Sequence, residues 1–535
     1  MKYINLKGVS FTRDRFIASV LVFVVSASSF FHIPFFYKSF HVSQHISSLV
    51  FVNIISFFLF FNSKKIPSIK ITTSSFLLLS SIVIVMMSFN SAVMVFSVLL
   101  LYTLIIFLGQ YTEVKKYAPL MLSYTALLSS LFSFILYLSG KFGLIELVKY
   151  GRVYGNYGQP NLLAALLLMG LFSYAHLIQI TKRTGVIYLL PLFVIATVLF
   201  MTASQAAMVA LCLSGLVVIY FWRHPRVVSM RPNFIRFLFV LICSWGVAQF
   251  IGDWTPLSRA EAGWSEGGGT YKRLVYWLAA LLIGSDNWVS GSGFGGYPAN
   301  LGDYAIVAAE KLRLTYDMVG QTLWAHNDFF HVFAEHGLFV FLLLVSFVLL
   351  LFHHYWKHVS SRNLFLFLAL LSFACMMSFG HPLYYHNLAL MACLLVVPLV
   401  GHWRGRTIEI NKKYVLIFVS ICLVVINLYS FKHFYQMYNL NQFSKHMATD
   451  EGSFEDRFLS GYESYLVGNI DNPIYGWQFK HTFYKNLVNR LIADDNRDLG
   501  EFILPEMVAY SSVNRFSSYL FSLAKLYYFL GDYGN

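Results

Sequence analysis

Long apolar runs alternate with short polar segments along most of the chain. Runs of about 17 to 25 residues are long enough to cross the hydrocarbon core of a bilayer as α-helices. Such runs lie at 16–36, 44–61, 71–89, 91–109, 118–138, 160–180, 186–203, 205–222, 234–251, 332–355, 363–380, 384–402 and 414–430. The pattern therefore predicts an all-α, polytopic membrane protein of about 13 transmembrane helices.

Two long polar stretches interrupt the alternation of apolar runs and short polar segments. The polar segment 252–331 separates two apolar runs, and beyond residue 430 the apolar runs shorten while charges appear regularly. Amphipathic patterns near the C-terminus predict a small helical domain outside the membrane. We therefore expect five regions: transmembrane helices at 1–150, transmembrane helices with outer polar turns at 151–251, a large outer loop at 252–331, transmembrane helices at 332–430 and a soluble helical domain at 431–535.

Basic residues predict the orientation of the helices. Lysine and arginine clusters, such as those at Lys64, Lys115 and Lys182, fall in alternate connections, and cytoplasmic connections carry the excess of positive charge. The N-terminus is then cytoplasmic and the C-terminal segment lies outside. The first run lacks a small-residue cleavage site, so it is interpreted as a span and not as a cleavable signal. The unusual polar stretches all fall on the outer face, at 151–161, 202–205, 252–331 and 380–386.

The amino-acid composition argues against several classes of function and of site. The chain is 57% hydrophobic and only 12% charged, which agrees with lipid as its main solvent. The net charge of +14 comes from short clusters between apolar runs and not from a continuous stripe, so we expect no nucleic-acid partner. The five cysteines lie inside apolar segments without paired spacing. This favours packing roles over a disulfide framework or a zinc knuckle.

The most unusual chemistry lies at 324–338, where the long polar segment meets the next apolar run. This segment contains His326, Asn327, Asp328, His331, Glu335 and His336. Ionisable groups at a membrane boundary are costly unless they have partners or a task. Asp328, His331 and Glu335 are spaced to share one helix face and to form an acid–imidazole network.

Three interpretations of this segment stay open. Its polar residues can cap a helix, hold a metal ion, or supply an imidazole that accepts a proton near neutral pH. The spacing is not the two-histidine motif of helical zinc sites and no cysteine is near, so we expect no metal.

Cations for a negatively charged ligand occur on the same face. Lys272 and Arg273 lie in an amphipathic pattern that predicts a helix, and the glycine-rich run 290–297 offers backbone amides to an anion. Arg152 precedes the polar turn 154–161. Taken alone, the glycine run is also typical of a flexible turn. Arg152 could equally be a single charged residue in a loop.

The order and common sidedness of these motifs resemble the O-antigen ligase superfamily. The motifs that support the resemblance lie at residues 152–161, 273–277, 291–295, 326–338 and 381–385. Within the superfamily, the stretch 154–161 and the soluble tail are most similar to bacterial protein O-oligosaccharyltransferases that glycosylate pilins. The resemblance implies a protein of the bacterial inner membrane whose outer loop and C-terminal domain are periplasmic.

The resemblance also implies an activity and its residues. A preassembled oligosaccharide is transferred from undecaprenyl diphosphate to a serine or threonine hydroxyl of a pilin-like protein, without a metal or another cofactor. His326 matches the essential histidine of the superfamily, and Arg273 matches its loop arginine, which is expected to hold the diphosphate. As a mechanistic hypothesis, His326 activates the acceptor hydroxyl, and the other predicted catalytic residues, Asp328 and Glu335, orient its imidazole. The other expected substrate-binding residues are Lys272, Arg152, Gln159, Asn161, Trp277, His381 and Tyr385.

One position departs from the pattern of the superfamily. Relatives often carry Ser-Arg where this chain has Ser204-Gln205. If that arginine contacts diphosphate, its role here must fall to Arg152, Lys272 or Arg259.

Three other functions remain as alternatives. An O-antigen ligase transfers glycan to the lipid A-core, and an O-antigen polymerase extends lipid-linked glycan. A carrier or flippase is the alternative from another class, for which we expect ionisable residues deep within several spans and repeated, broken helices. In this chain, the unusual polar residues instead lie together on the predicted outer face of the membrane.

Overall fold

A computed structural model provides the structure of the protein. It describes residues 4–6, 9–11, 69–72, 112–143, 151–182, 185–225, 227–253, 269–293, 295–314, 324–357, 363–385, 407–410, 497–513 and 517–531, with scattered positions in 258–263, 322, 359–360, 388–396, 417–439 and 484–496.

The described part is predominantly helical. The helices are α1 (Thr112–Lys141), α2 (Pro160–Thr181), α3 (Val186–Met201), α4 (Gln205–Phe221), α5 (Arg231–Ile251), α6 (Gly269–Asp286), α7 (Gly296–Lys311), α8 (Asp328–Lys357), α9 (Leu364–Phe379), α10 (Arg497–Val513) and α11 (Ser517–Leu530). Short 3-10 turns lie at Gly155–Tyr157, Val228–Met230 and Pro382–Tyr384.

Seven of the predicted apolar windows form helices. Those long and apolar enough to cross a membrane are Tyr117–Lys141, Pro160–Thr181, Val228–Ile251 and Asp328–Lys357, and the shorter apolar helices are Val186–Met201, Gln205–Phe221 and Leu364–Phe379. An integral membrane protein built from helices is thereby confirmed. The count of about 13 spans stays a prediction. The windows 16–36, 44–61 and 91–109 lie outside the described residues, as does 71–89 beyond its first two residues, and 384–402 and 414–430 are described only at scattered positions.

Short strands are an addition to the predicted all-α class. Strand β1 (Ile4–Leu6) pairs antiparallel with β2 (Val9–Phe11), and β3 (Ile69–Thr72) pairs antiparallel with β4 (Thr407–Ile410). Segments of three or four residues are too short to show a recognisable period of two, which is why the apolar pattern did not predict them.

The centre of the apolar bundle is α2. Its side chains are buried almost continuously from Leu162 to Phe172, against α1, α3 and α9. At Gly170 a Cβ atom would lie 2.0 Å from the Cβ of Ala126, so glycine is needed for the close approach of α1. Small residues at such contacts let helix backbones pack tightly where lipid provides no hydrophobic driving force.

The polar stretches of the chain meet at one end of this bundle, which we name the site end. There Lys141, in the last turn of α1, forms an ion pair of 3.1 Å with Asp253, just beyond α5. Asp328, the first residue of α8, accepts a hydrogen bond of 3.0 Å from the amide of Leu383, just beyond α9. The assignment of this end to the periplasm stays a prediction.

The segment 252–331 is more ordered than a loop. It contains α6 and α7, which pack against each other and against the start of α8 around Ala279, Tyr297 and Ala334. Near the C-terminus, α10 and α11 pack together, as expected for a helical tail. The described part of the tail consists of residues 435 and 439 and of positions from 484 onwards.

Candidate active site

A break in α8 forms the frame of the site. Gly337 has φ +77°, outside the helical region, and divides α8 into a polar arm at 328–336 and an apolar arm at 338–357. The turn that follows α6 fits into this break, because the amide of Leu338 donates to the carbonyl of Trp288 at 2.7 Å. A Cβ atom on Gly291 would lie 2.2 Å from the backbone of Glu335. Glycine is therefore required at both positions for the two segments to interlock.

The polar arm carries a buried carboxylate–imidazole pair. The Oε1 atom of Glu335 lies 3.3 Å from His331 Nε2 and accepts hydrogen bonds from the amides of Gly295 at 2.9 Å and Tyr297 at 3.4 Å. These amides lie at the N-terminus of α7, where the helix dipole favours a negative charge. The glycine run was predicted to offer amides to an anion, and the anion that Gly295 contacts is the side chain of Glu335.

His331 connects this pair to the segment that contains His326. Its Nδ1 atom accepts a hydrogen bond of 3.3 Å from the amide of Ala325. The proton of neutral His331 therefore lies on Nε2 and points at Glu335. His331 and Glu335 are each 2% exposed, so few solvent molecules compete with these bonds.

His326 lies between this pair and the end of α9. Its φ of +54° is left-handed, which costs a non-glycine residue energy and is common at functional sites. Its ring packs edge-on against His381 at 5.1 Å, and its carbonyl accepts a hydrogen bond of 3.3 Å from the indole of Trp277. Its Nε2 atom lies 3.4 Å from the hydroxyl of Thr322. The partner of the imidazole is thus a threonine that the sequence did not point to.

Burial lowers the pKa of His326 to about 3, with further contributions from Arg273 and His331. The imidazole is therefore neutral at physiological pH and has a lone pair for a proton. Because the charge of Arg273 contributes to this low pKa, an anion bound to Arg273 would raise it again.

Asp328 and Glu335 hold the site together without contacting the His326 ring. Both are buried. The Oδ2 atom of Asp328 binds the amide of Leu383, and its Oδ1 atom has no hydrogen-bond partner among the residues that the structure describes. The predicted acid–imidazole network is thus present between His331 and Glu335, while Asp328 joins α8 to the turn beyond α9.

Aromatic rings fill the space around the two imidazoles. Trp324 stacks on His381 with ring centroids 5.2 Å apart and an angle of 11° between the rings. Tyr384 packs edge-on against His331 at 4.5 Å, and Tyr385 contacts His381 at 5.6 Å. The prediction selected Tyr385 and missed Tyr384, although the two are adjacent, because their different environments depend on the turn at 382–384.

Three arginines form the other half of the site. Burial lowers the pKa of Arg152 to about 9, and Arg259 and Arg273 lower it further by repulsion. Burial, followed by Arg259, likewise lowers the pKa of Arg273. All three guanidinium groups are thus within electrostatic reach of one another. No carboxylate among the described residues pairs with Arg152 or Arg273.

Hydrogen bonds to two other segments hold Arg152 and the backbone of Arg259 in place. Arg152 donates from Nε to the carbonyl of Thr202 at 2.7 Å and from Nη2 to that of Ala203 at 3.3 Å, in the turn between α3 and α4. The side chain of Gln205 donates to the carbonyl of Arg259 at 2.9 Å. At the position where relatives often carry arginine, this chain therefore has a glutamine that fixes the backbone of another arginine.

The remaining predicted residues lie at the site end with fewer contacts. Gln159 and Asn161 flank the start of α2, and both are half-buried. Lys272 precedes Arg273 on α6 and forms no ion pair within the described part of the chain. Within the same residues, no group of three His, Cys, Asp or Glu side chains is placed to hold a metal ion.

Part of this site lies in a segment that is similar to a known protein family. Residues 190–345 match the family model described as O-Antigen ligase. The matched segment includes Arg259, Arg273, His326 and Glu335, whereas Arg152 and the turn beyond α9 lie outside it. A search of the curated proteins finds no match. The segment 190–345 of this helical membrane protein is thus similar to the O-antigen ligase family, which supports the resemblance that the order of its motifs predicted.

Proposed function

We propose that this protein transfers a preassembled oligosaccharide from undecaprenyl diphosphate to a serine or threonine hydroxyl of a periplasmic, pilin-like protein. The observation that carries the proposal is the neutral imidazole of His326 beside three arginines, two of which have no described carboxylate partner. The family match supports glycan transfer in general. The protein acceptor rests on the resemblance of 154–161 and of the helical tail to the enzymes that glycosylate pilins.

The arginines bind the diphosphate of the donor. Arginine forms bidentate hydrogen bonds with phosphate oxygens, and the buried setting of Arg273 strengthens its electrostatic interaction with them. Negative charge builds up on the diphosphate as its bond to the sugar breaks. Fixed cations aimed at that charge stabilise the transition state more than the bound donor. Arg273 is the main contact, and Arg152 and Arg259 add positive charge beside it.

His326 accepts the proton of the acceptor hydroxyl. The hydroxyl oxygen attacks the anomeric carbon, the bond from that carbon to the diphosphate breaks, and the hydroxyl proton passes to the imidazole. A pKa of about 3 makes His326 a weak base in the free protein. Donor binding offsets the charge of Arg273 and raises this pKa, so the base becomes stronger once the donor is in place.

The two carboxylates act as positioning groups in this mechanism. Glu335 holds His331, and His331 holds the amide of Ala325, the residue before His326. Asp328 fixes the turn beyond α9, from which His381 packs against His326. Trp277 binds the carbonyl of His326 from α6. These contacts fix the imidazole from three sides, as a catalytic base requires.

Intact-mass analysis of the acceptor tests the proposal and separates the alternatives. In a deletion strain we expect pilin to lose its glycan mass, wild-type protein to restore it, and His326→Ala protein at equal abundance to leave it absent. Unmodified lipid A-core with unchanged pilin would identify a ligase, and shortened lipid-linked glycan a polymerase. Glycan that accumulates on the cytoplasmic leaflet would identify a carrier. Unchanged pilin would overturn the proposed acceptor.

A further inference from the structure

An exposed apolar surface lies at the break of α8, away from the imidazoles. Trp288 and Val289, in the turn after α6, are 59% and 65% exposed, and Leu338 and Phe339, at the start of the apolar arm, are 37% and 55% exposed. We name these four residues the apolar tip. Neighbouring exposed residues of the same turn, such as Asp286 and Ser290, are polar.

Hydrogen bonding fixes the apolar tip at the level where α8 enters the membrane. The ionisable residues of the first part of α8 all precede Gly337, and an unbroken apolar run follows it as far as Val345. This change in composition marks the boundary between polar headgroups and hydrocarbon. The amide of Leu338 binds the carbonyl of Trp288, and the backbone of Gly337 lies against that of Val289. The turn after α6 therefore lies at the depth of residue 338.

We propose that the apolar tip inserts into the lipid leaflet at the site end. Tryptophan with neighbouring aliphatic side chains is typical of the interface between headgroups and hydrocarbon. Lipid is the expected partner because the apolar tip continues the exposed apolar surface of the apolar arm, which includes Leu342 and Leu349.

Depth-dependent quenching tests the insertion without donor or acceptor. A fluorophore is attached through Trp288→Cys or, separately, Val289→Cys, in protein whose native cysteines are replaced, and the protein is reconstituted in phosphatidylcholine and phosphatidylglycerol vesicles. We expect blue-shifted emission and stronger quenching by nitroxides on upper acyl carbons than by an aqueous quencher. Ile306→Cys, on α7 and 50% exposed, is the matched control and should show the reverse. Equal aqueous quenching at 288, 289 and 306 would overturn the proposal.

Lipid photocrosslinking of the unmodified protein gives a second readout that needs no substitution. Lipids with a diazirine in the upper acyl chain should label the peptide that contains Trp288 and leave the peptide that contains Ile306 unlabelled. Labelling of neither peptide, with labelling of α5 as a positive control, would contradict insertion. Because both measurements report depth alone, they can fail while glycan transfer succeeds, or the reverse.

Discussion

The two halves of the site differ in how their charges are balanced. In the imidazole half, the Oε1 atom of Glu335 faces His331 and the amides at the start of α7, so the protein itself supplies the donors for this carboxylate oxygen. In the arginine half, Arg152 and Arg273 mainly experience burial and repulsion, and no described carboxylate offsets them. The difference indicates that the protein itself completes the first half, whereas an anionic ligand completes the second. Substitutions should therefore separate stability from binding.

The largest expected effect is on turnover. His326→Ala removes the proton acceptor, and general-base catalysis contributes about 10²- to 10⁴-fold. We expect glycan transfer to fall by that factor while donor binding stays within about threefold, because binding resides in the arginine half. Single-turnover assays with labelled donor measure both quantities. His353→Ala, an exposed histidine towards the other end of α8, is the control. Equal rates for the two variants would remove His326 from the chemistry.

The second-largest expected effect is a decrease in kcat/KM after a substitution in the arginine half. Arg273→Ala should lower kcat/KM by about 10²-fold, since it removes a cation that stabilises the leaving diphosphate. The melting temperature should stay the same or rise, because one of three repelling charges is gone. Arg223→Ala, an exposed arginine just beyond α4, controls for net charge. A large loss of stability with unchanged kcat/KM would reverse the roles assigned to the two halves.

Glu335→Ala should show the opposite behaviour. It leaves His331 and the amides at the start of α7 without their acceptor, which costs the folded state about 3 kcal/mol. Chemical unfolding in detergent measures this loss. Glu335→Gln keeps an acceptor oxygen and should recover part of the stability and of the turnover, and Glu310→Ala, exposed on α7, should change neither. If Glu335→Ala had wild-type stability, the contacts of Glu335 would contribute nothing to the free energy of unfolding.

The stability of the protein should also depend on pH through His326. Its pKa is about 3 in the folded protein, whereas an unfolded chain has the ordinary histidine pKa of 6.5. Between these values the unfolded chain binds more protons, so stability falls as pH falls from 6.5 towards 3 and is unaffected above 6.5. His326→Gln removes this contribution. We expect the difference in melting temperature between pH 7.5 and pH 5 to shrink in the variant, and an identical difference would contradict the buried, neutral imidazole.

The smallest effect concerns the orientation of His326. Thr322→Val removes the hydroxyl 3.4 Å from Nε2, a long and therefore weak contact. We expect a decrease in kcat of about two- to fivefold with unchanged KM, and recovery in Thr322→Ser. A change of KM alone would assign Thr322 to substrate binding instead.

The sequence was sufficient for the features that depend on local pattern. The length of the apolar runs located seven apolar helices, and the density of ionisable residues at a membrane boundary identified the segment around His326. The spacing of His331 and Glu335 predicted their contact, because residues four apart meet on one helix face.

The remaining features depend on contacts between distant segments. The amide of Gly295 reaches Glu335 from the start of another helix, and Gln205 reaches the carbonyl of Arg259 across a loop. The break at Gly337 exists because the turn after α6 occupies it. Local propensity carries no information on such pairings, so the partners of the predicted site residues became visible only in the folded chain.

Reconstituted transfer tests the central claim most directly. Purified protein in vesicles is mixed with undecaprenyl diphosphate oligosaccharide and unglycosylated pilin, and the intact mass of pilin is followed over time. We predict that one glycan mass is added in step with release of undecaprenyl diphosphate, and that His326→Ala and Arg273→Ala each slow both by about 10²-fold or more. Pilin that gains no glycan from an active donor, or gains it equally with both variants, would contradict the account.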